Sequence, residues 1–224
     1  VFEVRDLWPE LPIAVGALKG PAKLPAYWLE KFAYRNSANI IALSPGMKQG
    51  VVRTGYPSKN VHVIPNSADL DMFSVPESEG IAFRKKHQWL QIRPLVIYTG
   101  TLGRINGVDY LAKLAAQVYS INSDIRFLVV GNGAEWQKVL EIAKHLNVYN
   151  RNFFMLPPVS KTKMPALLSA ADVATSLFID LPEMWANSAN KFFDALSSGT
   201  PVAINYKGWQ SDLLQETGAG ITLD

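Results

Sequence analysis

Short apolar runs alternate with stretches of helical period along almost the whole chain, and this alternation constrains the fold more than any other feature. Residues 1–4, 40–43 and 61–65 read as strands, with helical stretches from about Pro25 to Tyr34 and from Gly46-Met47 onward between them. A second series has strands at 95–99, 127–130, 153–156, 173–177 and 201–204, and helices at 108–119, 135–146 and 190–197, the last closed by Gly199. In the helix 108–119, Val108, Leu111, Ala115 and Val118 share one face. Strands that alternate with helices imply a parallel sheet covered by helices on both faces, so the expected class is α/β. Residues 75–92 are mixed and charged, and read as a linker between the two series.

At 224 residues, 48% hydrophobic and 18% charged, the chain is large enough for one sizeable domain or two small ones, and apolar enough to bury a core. It has no cysteine, which removes disulfides, thiolate metal sites and cysteine nucleophiles and fits a reducing cytoplasm. No run approaches the roughly 20 apolar residues needed to span a bilayer. The chain opens on Val1 rather than Met, so it reads as a piece of a longer protein. Residues 1–60 hold eight Lys/Arg against four Asp/Glu, a net of +4 within a total of +3. A basic face can meet anionic lipid, nucleic acid or a phosphorylated substrate, and equally can be a solvated surface. No nucleic-acid motif accompanies it, so nucleic acid is set aside.

Three constellations can carry chemistry. The first, Tyr98-Thr99-Gly100-Thr101-Leu102-Gly103-Arg104-Ile105-Asn106-Gly107, follows a strand and precedes a helix. Glycines permit close backbone approach, free N–H groups at a helix start favour phosphate, and Arg104 adds a charged donor. An ordinary glycine-containing turn has the same spacing. The second, Val129-Val130-Gly131-Asn132-Gly133-Ala134-Glu135-Trp136, imitates a dinucleotide fingerprint, but Trp136 stands where the third glycine packs the helix on the strand. Gly131 and Asn132 are kept as lining for a nucleotide cleft, and NAD or FAD is set aside. The third is Asn187-Ser188-Ala189-Asn190-Lys191-Phe192-Phe193-Asp194, then Gly199-Thr200-Pro201. Asn187 or Ser188 can cap the helix. Lys191 and Asp194 share one helix face, where they form either an ion pair or a phosphate and ribose contact.

Asp69-Leu70-Asp71 has the spacing of a carboxylate metal pair, but follows Ile64-Pro65-Asn66 and reads as a turn; no metal site is assigned. His62, His87 and His145 have no recognisable catalytic partner.

In this order the pieces resemble glycosyltransferase family 4, particularly bacterial envelope and exopolysaccharide members. Arg5-Asp6-Leu7-Trp8-Pro9-Glu10, Ala38-Asn39-Ile40-Ile41-Ala42-Leu43-Ser44 and Val63-Ile64-Pro65-Asn66-Ser67-Ala68-Asp69 with Phe73 are similar to the end of the family's acceptor domain. Residues 100–107 resemble its donor-phosphate loop, and 190–201 the helix after its paired-glutamate motif. The resemblance implies the GT-B fold, with Rossmann-like parallel sheets flanked by helices. Residues 1–74 would be the last part of the acceptor-side domain, 75–92 the linker and 93–224 the donor-binding domain, lacking the first part of the fold and its final helices.

The chain departs from the family pattern at the phosphate loop, where Thr101 and Asn106 stand in place of Arg and Lys, so Arg104 and Lys191 become the expected phosphate cations. Asp194 fits the second, ribose-binding glutamate; the first position is Ala186, which leaves Glu183 or Asp180 for the sugar. The resemblance therefore implies transfer of a hexose from a UDP-sugar, with UDP-glucose the first choice, to a growing lipid-linked saccharide, with retention and without metal. The donor residues would be Gly100, Thr101, Leu102, Gly103, Arg104, Asn106, Gly131, Asn132, Asn187, Ser188, Ala189, Asn190, Lys191 and Asp194, with Glu183 as the catalytic candidate. No cofactor beyond the substrate is implied. The expected location is cytoplasmic, and the basic first segment allows peripheral contact with the inner face of the membrane. Two rivals share these features: a UDP-sugar epimerase of the same fold, and a degenerate nucleotide-sugar-binding module.

Overall fold

The computed structural model describes residues 1–223, which form two compact units. Among the described residues the strands are β1 (Phe2–Val4), β2 (Ile40–Ala42), β3 (Val61–Val63), β4 (Leu95–Thr101), β5 (Arg126–Asn132), β6 (Phe153–Leu156), β7 (Val173–Ser176), β8 (Val202–Ile204) and β9 (Gly220–Thr222). The helices are α1 (Glu10–Ala14), α2 (Lys23–Arg35), α3 (Pro45–Arg53), α4 (Leu70–Phe73), α5 (Glu77–Lys86), α6 (Asp109–Ile121), α7 (Trp136–His145), α8 (Met164–Ser169), α9 (Asn190–Ser197) and α10 (Trp209–Thr217).

The first unit comprises Val1–Asn66, Asp180–Ala189 and Tyr206–Glu216. Its sheet is parallel, in the order β1-β2-β3, with Ile40 paired to Phe2 on one side and Val61 on the other. Ser44 caps α3 by accepting from the Met47 N–H at 3.0 Å, and Pro45 begins the helix where no N–H is needed. Met47 and Val51 of α3 then pack beside Val4, Ile40, Ala42 and Tyr34 in the core. Ala186 joins this cluster, so the segment after β7 contributes to the first unit's interior.

The second unit comprises Ser67–Ile179, Asn190–Asn205 and Thr217–Asp224. Its six strands are all parallel, in the order β6-β5-β4-β7-β8-β9. Tyr98, Phe127, Val129 and Phe153 of the sheet meet Leu111, Ala115 and Val139 of α6 and α7 in one core. Burial on both faces explains why these strands read as unbroken apolar runs. From β4 the chain adds strands in one direction, β5 then β6, and in the other, β7 then β8 then β9. Strand order therefore reverses between β4 and β7, and in sheets of this kind ligands bind at the carboxyl ends of strands flanking such a point.

The stretch 75–92, expected as a linker, carries the ten-residue helix α5. Glu77 and Glu79 lie in its first turn and Arg84, Lys85 and Lys86 in its last, complementing the helix dipole. Gly80 brings α5 so close to α8 that a Cβ there would lie 2.5 Å from the Ser169 carbonyl oxygen. Arg84 donates to the Ala170 and Arg93 carbonyls at 2.9 and 2.8 Å and to Asp172 at 2.6 Å, fastening the helix to the second unit.

Candidate functional site

The carboxyl end of β4 is built around Tyr98. Its ring is fully buried in a strand otherwise aliphatic up to that point, so its hydroxyl must find a partner inside the protein. It donates to the Thr101 carbonyl at 2.8 Å, folding the strand end back on itself. Gly100 lies between them with φ +137°, a conformation L side chains rarely adopt. A Cβ at Gly100 would meet the Lys191 side chain at 3.3 Å.

Lys191 reaches this point from the first turn of α9. Its ammonium donates to the Tyr98 hydroxyl at 2.8 Å, and lies 4.4 Å from the Tyr98 ring centroid and 5.6 Å from that of Phe178. The residue as a whole is partly exposed, but its charged end is crowded by protein atoms, and this burial pushes its pKa down to about 7. Burial likewise holds the Tyr98 hydroxyl above the ordinary tyrosine value. The Lys191–Asp194 ion pair allowed by helical spacing does not form: among the described residues Asp194 takes part in no salt bridge. Its half-buried carboxyl has its pKa raised by burial, partly offset by Lys161.

The glycine loop corrects one expectation. Its N–H groups at Leu102 and Gly103 are not free: Leu102 donates to the Asn132 carbonyl at 2.9 Å and Gly103 to Asn106 Oδ1 at 3.1 Å. Buried Asn106 thus closes the loop on itself, and Leu102 is fully buried. Thr101 and Arg104 are exposed, and Arg104 has no hydrogen bond or salt bridge from its side chain among the described residues. Gly131 and Gly133 have packing reasons of their own. A Cβ at Gly131 would lie 1.8 Å from the Gly100 carbonyl oxygen, and one at Gly133 2.5 Å from that of Leu102. Asn132 is exposed, and its Oδ1 accepts from the Gly133 N–H.

The expected residues are divided between the two units. Asn190, Lys191 and Asp194 belong with the glycine loop in the second unit; Asn187, Ser188, Ala189 and Glu183 belong to the first. Asn187 is buried, with its amide donating to the Met184 carbonyl at 2.6 Å and its oxygen accepting from Ala189 N–H at 3.2 Å. Ser188 Oγ accepts from the Asn66 N–H at 3.1 Å. Ala186 is buried against Gly46, whose Cβ position lies 2.8 Å from the Ala186 methyl, and its carbonyl accepts from Ser44 Oγ at 2.6 Å. Glu183 lines a separate cavity of about 540 Å³ in the first unit. Asp69 caps α4 through the Met72 N–H at 3.1 Å, and Asp71 lies inside that short helix rather than in the expected turn. Sequence reasoning gave no role to Tyr98, although a tyrosine closing an apolar run just before a glycine loop was a usable signal.

Residues 93–223 match the family described as Glycosyl transferases group 1, and residues 1–72 match that described as Glycosyltransferase Family 4. Among characterised relatives, the alpha-D-kanosaminyltransferase of Streptomyces kanamyceticus is 27% identical over 110 residues, covering 48% of this chain and 28% of the relative. The 2-deoxystreptamine glucosyltransferase of the same organism is 23% identical over 179 residues, covering 78% of this chain and 44% of the relative. The chain thus spans less than half the length of these two relatives. Among solved structures, Anabaena HepE in complex with UDP and glucose superposes with a TM-score of 0.78 at 20% identity, over 99% of this chain and 56% of that one. WaaG, a glycosyltransferase involved in lipopolysaccharide biosynthesis, superposes with a TM-score of 0.78 at 15% identity, over 99% of this chain and 60% of that one.

Proposed function

The chain belongs to the group 1 glycosyl transferases, of the family 4 type with the GT-B fold, and on that premise we propose that it binds the donor in transfer of a hexose from a UDP-sugar to a saccharide acceptor. The observation that carries this reading is Lys191: a crowded ammonium beside Gly100, at the carboxyl end of β4, where strand order reverses. An unpaired buried charge is costly, and a diphosphate offers the anion that would make the charged form favourable there. Arg104 supplies a second cation on the same loop. Together they would stabilise the departing diphosphate, where negative charge grows during transfer. Asp194, a carboxylate with no salt bridge among the described residues, would accept from the ribose hydroxyls.

UDP-glucose is the preferred donor, since HepE has been solved with UDP-glucose, and transfer would retain configuration and need no metal. Residues 1–74 would serve the acceptor side, 93–224 the donor side, and Glu183 would meet a sugar. The acceptor would be a lipid-linked saccharide of envelope polysaccharide synthesis, reached at the inner face of the membrane. Helix α2 supports this last point: Leu24, Trp28 and Phe32, four residues apart, are 76%, 65% and 51% exposed, with exposed Lys31 and Arg35 beside them.

Calorimetric titration with UDP-, GDP- and ADP-sugars tests the donor reading, with the UDP-sugar expected to bind tightest. Absence of binding by all three would reject it. Acceptor-dependent release of UDP by the intact enzyme separates a transferase from an epimerase, which would change the sugar instead, and from a binding module, which would do neither.

A further inference from the structure

The cavity that holds Glu183 is lined by residues of the first unit alone. Its walls are pinned from several directions. Ser44 Oγ donates to the Ala186 carbonyl at 2.6 Å, Trp209 Nε1 donates to the Asn187 carbonyl at 2.8 Å, and the Cβ position of Gly208 lies 2.4 Å from the Trp185 carbonyl oxygen. The result is a pre-formed hollow of about 540 Å³, within the ordinary range for small-molecule sites.

The charged side chains of its lining are mostly acidic. Glu10, Glu183 and Asp212 line it with Arg53, the single cationic side chain of the lining, and Trp185 and Trp209 are among its other walls. Glu10 and Arg53 come from residues 1–60, whereas Glu183 and Asp212 come from the later segments 180–189 and 206–216 that complete the first unit. Glu10 Oε2 is shielded from solvent and has no hydrogen-bond partner among the described residues. Lys207 lies 5.9 Å from the Trp185 centroid but does not line the hollow.

Three carboxylates against one guanidinium repel a phosphate, which excludes the donor diphosphate from this cavity. A neutral saccharide would donate hydroxyls to the carboxylates yet leave the excess charge uncompensated. A saccharide with a protonated amine satisfies both needs, because its hydroxyls and ammonium donate to the carboxylates. We infer that this cavity receives a saccharide bearing a protonated amine, as the accepting substrate. The inference rests on the reading of the chain as a glycosyltransferase, because the saccharide is given the acceptor's role.

The test titrates the 224-residue chain with methyl glucosaminide, its N-acetyl derivative and methyl glucoside, following the tryptophan indole N–H signals by NMR. Glucosaminide should bind about tenfold more tightly than either of the others, the difference expected when a charge partner is removed. It should shift the Trp185 and Trp209 signals. Glu183→Gln and Asp212→Asn, similar in shape and checked for unchanged melting, should each remove most of that preference. Equal binding of the three glycosides, binding of none, or a preference untouched by both substitutions would overturn the inference. UDP affinity is measured in the same samples. UDP binding without amine preference rejects the cavity's assignment and leaves the donor reading intact, whereas loss of UDP binding itself rejects the donor reading.

Discussion

Lys191 Nζ donates to the Tyr98 hydroxyl at 2.8 Å, and that hydroxyl donates onward to the Thr101 carbonyl at 2.8 Å. One residue of α9 and one of β4 therefore hold the start of the glycine loop together. The same contact keeps the lysine where it titrates near neutrality, because burial pushes its pKa down to about 7.

Donor binding should take up a proton. A diphosphate within reach of Lys191 favours its ammonium form and raises the pKa, while the free protein holds the lysine mostly neutral above about pH 7. UDP affinity should therefore fall as pH rises from about 7.5 to 9, a window above the second phosphate ionisation near 6. Calorimetry in buffers of different ionisation enthalpy should report uptake approaching one proton at the upper end. Lys191→Met should bind weakly and without this slope. A parent affinity flat across the window would sink the assignment.

Asn106 should matter through the loop's shape. Asn106→Ala removes the acceptor for the half-buried Gly103 N–H, and leaving such a donor unsatisfied costs up to about 1–3 kcal/mol. Urea unfolding should show a loss of that size, and UDP binding should weaken because the loop carrying Arg104 is less ordered. Unchanged stability would mean that water replaces the side chain without cost.

Asp194→Asn keeps the shape of the side chain and removes its charge. If the carboxylate accepts from ribose, UDP binding should weaken by about 1–3 kcal/mol, the range for a hydrogen bond to a charged group. A dideoxyribose analogue of UDP should lose much less. Equal losses for both ligands would point instead to a distorted α9.

The resemblance puts Ala186 at the first of the family's paired glutamates, yet introducing a glutamate there should harm the protein. Ala186 is buried, and its methyl group lies 2.8 Å from the Cβ position of Gly46. Ala186→Glu should destabilise by at least about 1–3 kcal/mol from overpacking alone. A stable variant with higher transferase activity would show that the segment relaxes to admit the side chain.

The α2 stripe should bind anionic membranes in a salt-sensitive way. Vesicles containing phosphatidylserine should retain the chain at low salt, release it as salt screens Lys31 and Arg35, and retain it poorly after the paired changes Trp28→Ala and Phe32→Ala. Equal retention by neutral vesicles would remove the electrostatic part of this expectation.

The α/β class was legible because burial leaves plain traces. Strands covered on both faces are continuous apolar runs, as in 95–99 and 127–130, and α6 repeats its apolar residues on one face. Elements with thinner patterns escaped. Helix α5 buries only Gly80, so its signal lay in Glu77 and Glu79 at one end and Arg84 to Lys86 at the other rather than in an apolar stripe. The three-residue β9 and the short helices α1, α4 and α8 offer too few residues for a period to show.

The sequence by itself determined the glycine loop, the α9 segment and their order, because strand-to-helix turns and apolar periods are local properties of the chain. Only the tertiary structure decided which of those residues meet. Helical spacing allowed Lys191 to pair with Asp194 three residues away, yet packing sends it to Tyr98, 93 positions earlier. It also turns the Leu102 N–H to the Asn132 carbonyl of β5 and the Gly103 N–H to Asn106, and gathers Glu10, Glu183 and Asp212 around one hollow. Contacts between residues distant in sequence depend on how sheets and helices stack, and local periodicity carries no record of that stacking.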